Sequence, residues 1–330
     1  MIKLAIDLMG SDLGSQELIK AVKKILDKYY DLSLVVFGNK DELTKLKDNK
    51  RIEIVETSEV VPMEIAPLAF LRLKDSSMQQ AIRRCASDDQ VDGVVSAGST
   101  GGFITGCQLI LKNIKGVLRA GLTAPFPTID SEKKTVILDI GASNYNTADE
   151  LVCFAKLGSL YSKYIFNNCV PSVYLLSNGA EKGKGLKETI EADEIMTKDN
   201  FIGYKGRCEA REVLDGKHDV VVTTGYPGNI LLKSIEGTAK MMGSSLRAIF
   251  KKNLISKIAY LLISKQMKQF SQNMDYKKLG GAILLGVNKV AVKAHGNSNA
   301  YAFFNAMDLA YRMVNSGLIP SIKKEFAHEG

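Results

Sequence analysis

Apolar and polar positions along this 330-residue chain follow two alternating rhythms. Five short apolar runs read as β-strands, and each ends directly in a small, glycine-bearing loop. These are Ile2–Asp12 (IKLAIDLMGSD), Val91–Gly102 (VDGVVSAGSTGG), Thr135–Asn146 (TVILDIGASNYN), Ser172–Gly185 (SVYLLSNGAEKGKG) and Asp219–Asn229 (DVVVTTGYPGN). Leu32–Phe37 reads as a further strand. Between the strands the apolar residues fall at helical spacing. Gln16–Tyr29 carries Leu18, Ile19, Val22, Ile25 and Leu26 on one face. Ser76–Ala86, Phe103–Leu111, Ala148–Tyr164, Leu186–Met196 and Ala300–Val314 are predicted as helices on the same ground. Alternating strands and helices predict an α/β fold, a three-layer α/β/α sandwich around a mixed, largely parallel sheet. Gly281–Val287 and Lys289–Ala294 are predicted to pair through a tight turn, making part of the sheet antiparallel. No low-complexity linker or fixed-period repeat interrupts the pattern, so residues 1–330 are expected to form a single domain.

Charge sharpens this picture in one place. The formal net charge is +8, which favours an anionic partner. Nucleic acid is disfavoured, because the chain has no Trp, no zinc-finger spacing and no basic stripe interleaved with aromatics. The basic residues concentrate in Gly237–Met274, which has no acidic residue and carries Lys240, Arg247, Lys251, Lys252, Lys257, Lys265 and Lys268. Its apolar residues, Leu246, Ile249, Phe250, Leu254, Ile258, Leu261 and Leu262, fall at helical spacing. Residues 237–276 are therefore predicted as a basic amphipathic helix or a helical hairpin. The run Ile258–Ile263 within it is far shorter than the ~18 residues a membrane span needs. Five scattered cysteines without a CxxC spacing suggest reduced thiols and a cytoplasmic setting. The N-terminus enters a strand at once, with Lys3 and Asp7 inside it, so no signal peptide is expected.

The glycine loops carry the candidate chemistry. Loops at the carboxyl ends of strands are where open α/β sheets collect ligands. Glycines there free backbone N–H groups to face an anion. A single such loop reads as a structural turn; five predict a shared rim for something small and negatively charged. The loops match neither the GxGxxG fingerprint nor the GxxxxGK[ST] spacing, since no Ser or Thr follows Lys184.

Their wording and order go further. IDLMGSD, LRLKDSSM (Leu71–Met78), SAGSTGG (Ser96–Gly102), LDIGA (Leu138–Ala142), NFIGY (Asn200–Tyr204), EAREVL with DVVVTTGYPGNILLKSIEG, LGGAILLGV (Leu279–Val287) and KAHGNS (Lys293–Ser298) follow one another in the chain. Together they resemble the bacterial acyl carrier protein–phosphate acyltransferase (PlsX) family of phospholipid synthesis, over nearly the whole chain. The resemblance implies conversion of long-chain acyl–acyl carrier protein and inorganic phosphate to acyl phosphate. A membrane glycerol-3-phosphate acyltransferase would then use the product. It also implies a fold like isopropylmalate dehydrogenase and phosphotransacetylase, a homodimer, peripheral contact with the inner face of the cell membrane, and no metal or organic cofactor.

Phosphate is its own nucleophile in such a reaction, so the protein must hold the anion and stabilise the oxyanion that forms. Backbone groups at Gly98, Ser99, Thr100 and Gly101, and at Gly225, Gly228 and Asn229, are the candidates, with Gly10 and Gly141 on neighbouring loops. Asn229 is either an amide donor or a helix N-cap. Lys184 matches the family's Lys-Gly loop and is either a counter-charge for phosphate or a solvated lysine. His295, in KAHG, is a candidate proton donor to the leaving thiolate or a phosphate ligand. Asp7 is placed with the substrate-binding loops, and Asp7 and Asp12 are expected to orient backbone or meet a lysine. Lys293 is expected to face away, into packing or solvent. Ser76, Ser77 and Ser99 have no visible base partner, which disfavours a serine hydrolase. Arg247, Lys251, Lys252 and Lys257 are candidates for contact with an anionic membrane or the acidic carrier protein. The chain departs from the family at Ser99, Ser143, Tyr145, Ser177 and Thr224, where Asn, Asn, Asp, Asn and Asp are usual. A donor change to acyl-CoA, or a diverged scaffold that binds carrier protein or membrane without turnover, therefore stays open.

Overall fold

The computed structural model describes residues 1–179, 181, 183–273 and 280–327. Eleven strands form one sheet: β1 (Ile2–Asp7), β2 (Leu32–Gly38), β3 (Ile52–Glu56), β4 (Gly93–Ser96), β5 (Gly121–Pro127), β6 (Lys134–Leu138), β7 (Val173–Ser177), β8 (Tyr204–Glu209), β9 (Val220–Val222), β10 (Ala282–Leu285) and β11 (Val290–Lys293). The helices are α1 (Ser15–Lys28), α2 (Lys40–Leu43), α3 (Pro67–Phe70), α4 (Ser77–Ser87), α5 (Thr100–Gly106), α6 (Ala148–Phe166), α7 (Lys187–Lys198), α8 (Gly225–Lys251), α9 (Leu254–Leu262), α10 (Ser264–Asn273), α11 (Ala300–Asn315) and α12 (Leu318–Ala327).

The strand order is β3-β2-β1-β4-β11-β10-β5-β6-β9-β7-β8. The first five strands are mutually parallel, as are the last four. β10 and β5 join them through three antiparallel pairings, β11–β10, β10–β5 and β5–β6. Three reversals leave the two parallel sets running in opposite directions. The five glycine loops are therefore split between the two ends of the strands, and the single rim expected from the sequence becomes two clusters. The predicted pairing of Gly281–Val287 with Lys289–Ala294 is the β10–β11 hairpin.

Successive strand residues point to opposite faces, and both faces of this sheet are covered. Leu4, Ile6, Leu34, Val36, Val136, Leu138, Val290 and Val292 join one core, under α1, α6 and α11. Ala5, Val35, Ile137, Val94 and Ala291 join the other, with Met78 and Ile82 of α4 and Phe103 of α5. This is the predicted three-layer sandwich.

The basic segment is helical where it is described, apart from short breaks at Lys252–Asn253 and Ile263; residues 274–276 of the predicted span lie outside the described residues. α8 starts inside the Asp219–Asn229 motif, so the glycine-bearing loop expected there is the helix's first turn. Pro227 is tolerated there because first-turn N–H groups have no intrahelical partner. α9 reverses against the end of α8, with the Phe250 and Tyr260 rings 5.3 Å apart. Among the described residues, nothing in α8 beyond Gly228 is buried, and nothing in α9.

Candidate active site

In the first half of the sheet the loops after β1, β4 and β11 lie side by side. Asp7 ends β1 and is fully buried. Its carboxylate accepts hydrogen bonds from Ser96 Oγ (2.6 Å), Ser77 Oγ (2.7 Å) and the Met9 N–H (3.0 Å). Burial outweighs these donors and raises its pKa. Gly10 has φ of 78°, and a Cβ there would lie 3.2 Å from the Gly98 Cα, so the β1 and β4 loops touch backbone to backbone. Ser11 Oγ and the Asp12 N–H both donate to the Gly296 carbonyl, at 3.0 and 2.9 Å, which ties the β1 loop to KAHGNS. Ser99 is the N-cap of α5: its Oγ accepts from the Gly102 N–H at 3.3 Å and donates to the Met63 carbonyl at 2.9 Å.

In the second half, Asp139 follows β6 and is fully buried. It accepts the N–H groups of Leu122 (3.0 Å), Gly141 (2.9 Å), Ala142 (2.8 Å) and Ser143 (3.0 Å), and the Ser143 hydroxyl (2.8 Å). Burial again raises the carboxyl's pKa against those donors. The start of α8 presses on this loop. A Cβ at Gly225 would stand 2.0 Å from the Ser143 carbonyl, and one at Gly228 would stand 1.8 Å from the Asp139 carbonyl. Asn146 Oδ1 accepts the Gly225 N–H at 3.2 Å. The contact carries Asn229 to Gly141, whose φ of 128° disfavours any other residue and where a Cβ would lie 3.3 Å from the Asn229 Cβ.

A cavity of about 790 Å³ is lined by residues of both clusters, on the sheet face that also holds Ala5, Val94 and Ala291. Thr100, Gly141, Asn229, Lys293, His295 and Glu236 line its polar part. Leu122, Ala124 and Phe126 of β5, Leu232 and Ile235 of α8, and Phe270 of α10 give it an apolar wall. His295 Nε2 lies 3.9 Å from Glu236 Oε1, and Lys233 Nζ donates to the other Glu236 oxygen at 2.9 Å. Among the described residues, no group of three or more His, Cys, Asp or Glu is placed to hold a metal ion.

Of the residues singled out from sequence, Thr100, Gly141, Asn229 and His295 meet on the cavity wall. Asp7, Gly10, Gly98, Ser99, Gly225 and Gly228 lie behind it, where they shape the loops. Gly101 is in the exposed first turn of α5. Lys184 is off the wall, on the loop after β7, half-exposed and paired with Glu181 at 3.2 Å. Two wall residues were not anticipated. Glu236 is a full helical stretch away from the glycine motif. Lys293, expected to face packing or solvent, ends β11 and points to the cavity face. It is buried at 5% exposure and donates to the Ala294 carbonyl. Burial pushes its ammonium down to about 8, against the pull of Asp7 and Asp12.

Comparison with known proteins places this chain in a lineage. The family model described as "Fatty acid synthesis protein" matches residues 2–320. A phosphate acyltransferase of Staphylococcus haemolyticus is 40% identical over 308 residues, covering 93% of this chain and 93% of that protein. One from Staphylococcus aureus is 38% identical over 325 residues, covering 98% of each. The chain belongs to the phosphate acyltransferase (PlsX) family. In fold it is similar to a phosphotransacetylase of Streptococcus pyogenes, with a TM-score of 0.62 at 16% identity over 95% of this chain and 94% of that one.

Of the residues at which this chain departs from the family, all but Ser177 are accommodated by the local structure. Ser99 caps α5 as an Asn would. Ser143 donates to Asp139, Thr224 is buried at the N-cap position of α8, and Tyr145 is 84% exposed. The Ser177 hydroxyl is buried without a hydrogen-bond partner among the described residues, and nothing in the structure explains that choice.

Proposed function

We propose that this protein transfers a long-chain acyl group from the thioester of acyl carrier protein to inorganic phosphate, giving acyl phosphate for phospholipid synthesis. The observation that carries this reading is the cavity, which combines a polar corner with a long apolar wall. From Asn229 to Ala239 the wall follows α8 for about 15 Å. An acetyl group would occupy only the corner, so the wall favours a long chain over a short one.

In this reading a phosphate oxygen attacks the thioester carbonyl. The new C–O bond forms, the C–S bond breaks, and the proton that phosphate loses ends on the departing sulfur. Backbone N–H groups of Thr100 and Gly101, at the start of α5, with the Asn229 amide, would face the oxyanion. His295, beside Glu236, would hand the proton to sulfur. Lys184 would act only as a charge at a distance, since its loop is off the cavity wall.

The exposed helices α8–α10 support peripheral contact with an anionic membrane. Ile255 is 79% and Leu262 79% exposed on the same hairpin that carries Lys251, Lys252 and Lys257. We place docking of acyl carrier protein, homodimer formation and delivery to a membrane glycerol-3-phosphate acyltransferase within the same proposal. Trapping acyl phosphate with hydroxylamine tests the reaction. Acyl hydroxamate is expected with long-chain acyl–acyl carrier protein and phosphate present, and none without phosphate. Product from acyl-CoA alone would reassign the donor. No product from either, with binding retained, would make the chain a scaffold.

A further inference from the structure

Asp7, Ser96 and Lys293 are in register across β1, β4 and β11, at the carboxyl ends of three adjacent parallel strands. Residues in register share a face, so the three side chains form one row on the face that holds the cavity. Asp7 and Ser96 are sealed, at 1% and 0% exposure, and only the last member of the row, Lys293, reaches the cavity wall. A buried ammonium is costly unless an opposite charge compensates it. Asp7 and Asp12 supply that charge through space, while the ammonium itself donates to the Ala294 carbonyl; Asp7 is fixed by three donors, two of them the hydroxyls of Ser77 and Ser96. The row is thus a rigid support that ends in a cation beside Thr100 and His295. A structural lysine would need no cavity, and a solvated one would not be buried.

We propose that Lys293 is the anion anchor of the site: its ammonium binds the inorganic phosphate that attacks the thioester, with Asp7 as the positioning residue that holds it at the cavity wall. This rests on the transfer to phosphate proposed above. Backbone N–H groups orient an anion but bring no net charge; Lys293 brings one where the wall is formed from both halves of the sheet. The charged groups facing it are Asp7 and Asp12 on the β1 side and Glu236, Lys233 and His295 around the cavity. Burial lowers the ammonium's pKa to about 8, so the anchor is positive below that pH and neutral above it. Further ionisation of phosphate would strengthen binding as pH rises, which is the opposite sign.

The test is calorimetric titration of inorganic phosphate into the full-length protein, without acyl donor, at about pH 7 and about pH 9.5 on either side of the depressed lysine pKa. A charge-assisted contact corresponds to about tenfold in affinity or more. Wild-type binding should therefore weaken by about that factor at the higher pH. Lys293→Met should bind about tenfold more weakly at neutral pH and lose the pH step. Asp7→Asn should move the step to lower pH, a change that loss of packing alone would not produce. Wild-type binding that does not weaken across this window overturns the proposal whether or not the variants fold, and so does a folded Lys293→Met protein with wild-type affinity. Phosphate binding with the expected step, but no acyl phosphate from either donor, would uphold Lys293 and remove the transferase reading.

Discussion

Asp139 gathers four backbone N–H groups and a hydroxyl onto one buried carboxylate, and by doing so sets the path of Gly141–Ser143. Asn229 is useful only because that path brings Gly141 against it. Replacing Asn229 with Ala should lower turnover by about 10²-fold, the usual cost of one oxyanion donor, with little change in melting temperature. Unchanged steady-state turnover would remove Asn229 from that role. Gly228 presents a different case, since it lies behind the cavity wall. A methyl there meets the Asp139 carbonyl at 1.8 Å, so the helix start or the loop must move. Gly228→Ala should cost about 1–3 kcal/mol of stability, read from the denaturation midpoint, as overpacking of a tight contact does. Ser99 makes the converse point. It differs from the family residue yet caps α5, a role Asn also favours, so the departure says little about lost chemistry.

At the scale of elements, α8 does two jobs along its length. Its first turn is pinned by glycine contacts, its next turns line the cavity, and its outer half is exposed in the single chain. α9 and α10 fold back from its end, and Phe270 of α10 returns to the cavity wall. No helix among the described residues is long and apolar enough to cross a membrane. The exposed apolar and basic hairpin instead fits a surface contact. Reversing Lys251, Lys252 and Lys257 to Glu should remove roughly 1 kcal/mol per site and greatly reduce co-sedimentation with anionic liposomes. Undiminished co-sedimentation would sink the membrane role of the segment. The hairpin was visible in the sequence as an acid-free run with helical spacing. That its far end closes back on the cavity was not, because that contact depends on where the chain reverses.

For the molecule as a whole, alternation of strand and helix was legible because both cores follow simple periods. The direction of the second half was not, since it turns on β5, GLTAPFP, whose Pro125 and Pro127 argue against a strand. They are accommodated because β10 pairs only with Gly121–Thr123, leaving the rest of β5 as an edge on that side. Four of the proposed site residues could be found from loop wording. Lys293 could not, because its partner Asp7 lies far away in the chain, and only strand register puts them in one row. The route out of the cavity has a consequence for rate. Each methylene exposed to water costs about 0.8 kcal/mol, so a long acyl product released into solvent would face a barrier that grows with every carbon. In the proposed reaction, an apolar hairpin that continues the cavity wall and rests on a membrane would give that product an exit away from water. Chain length should then slow release far less than solubility alone would dictate.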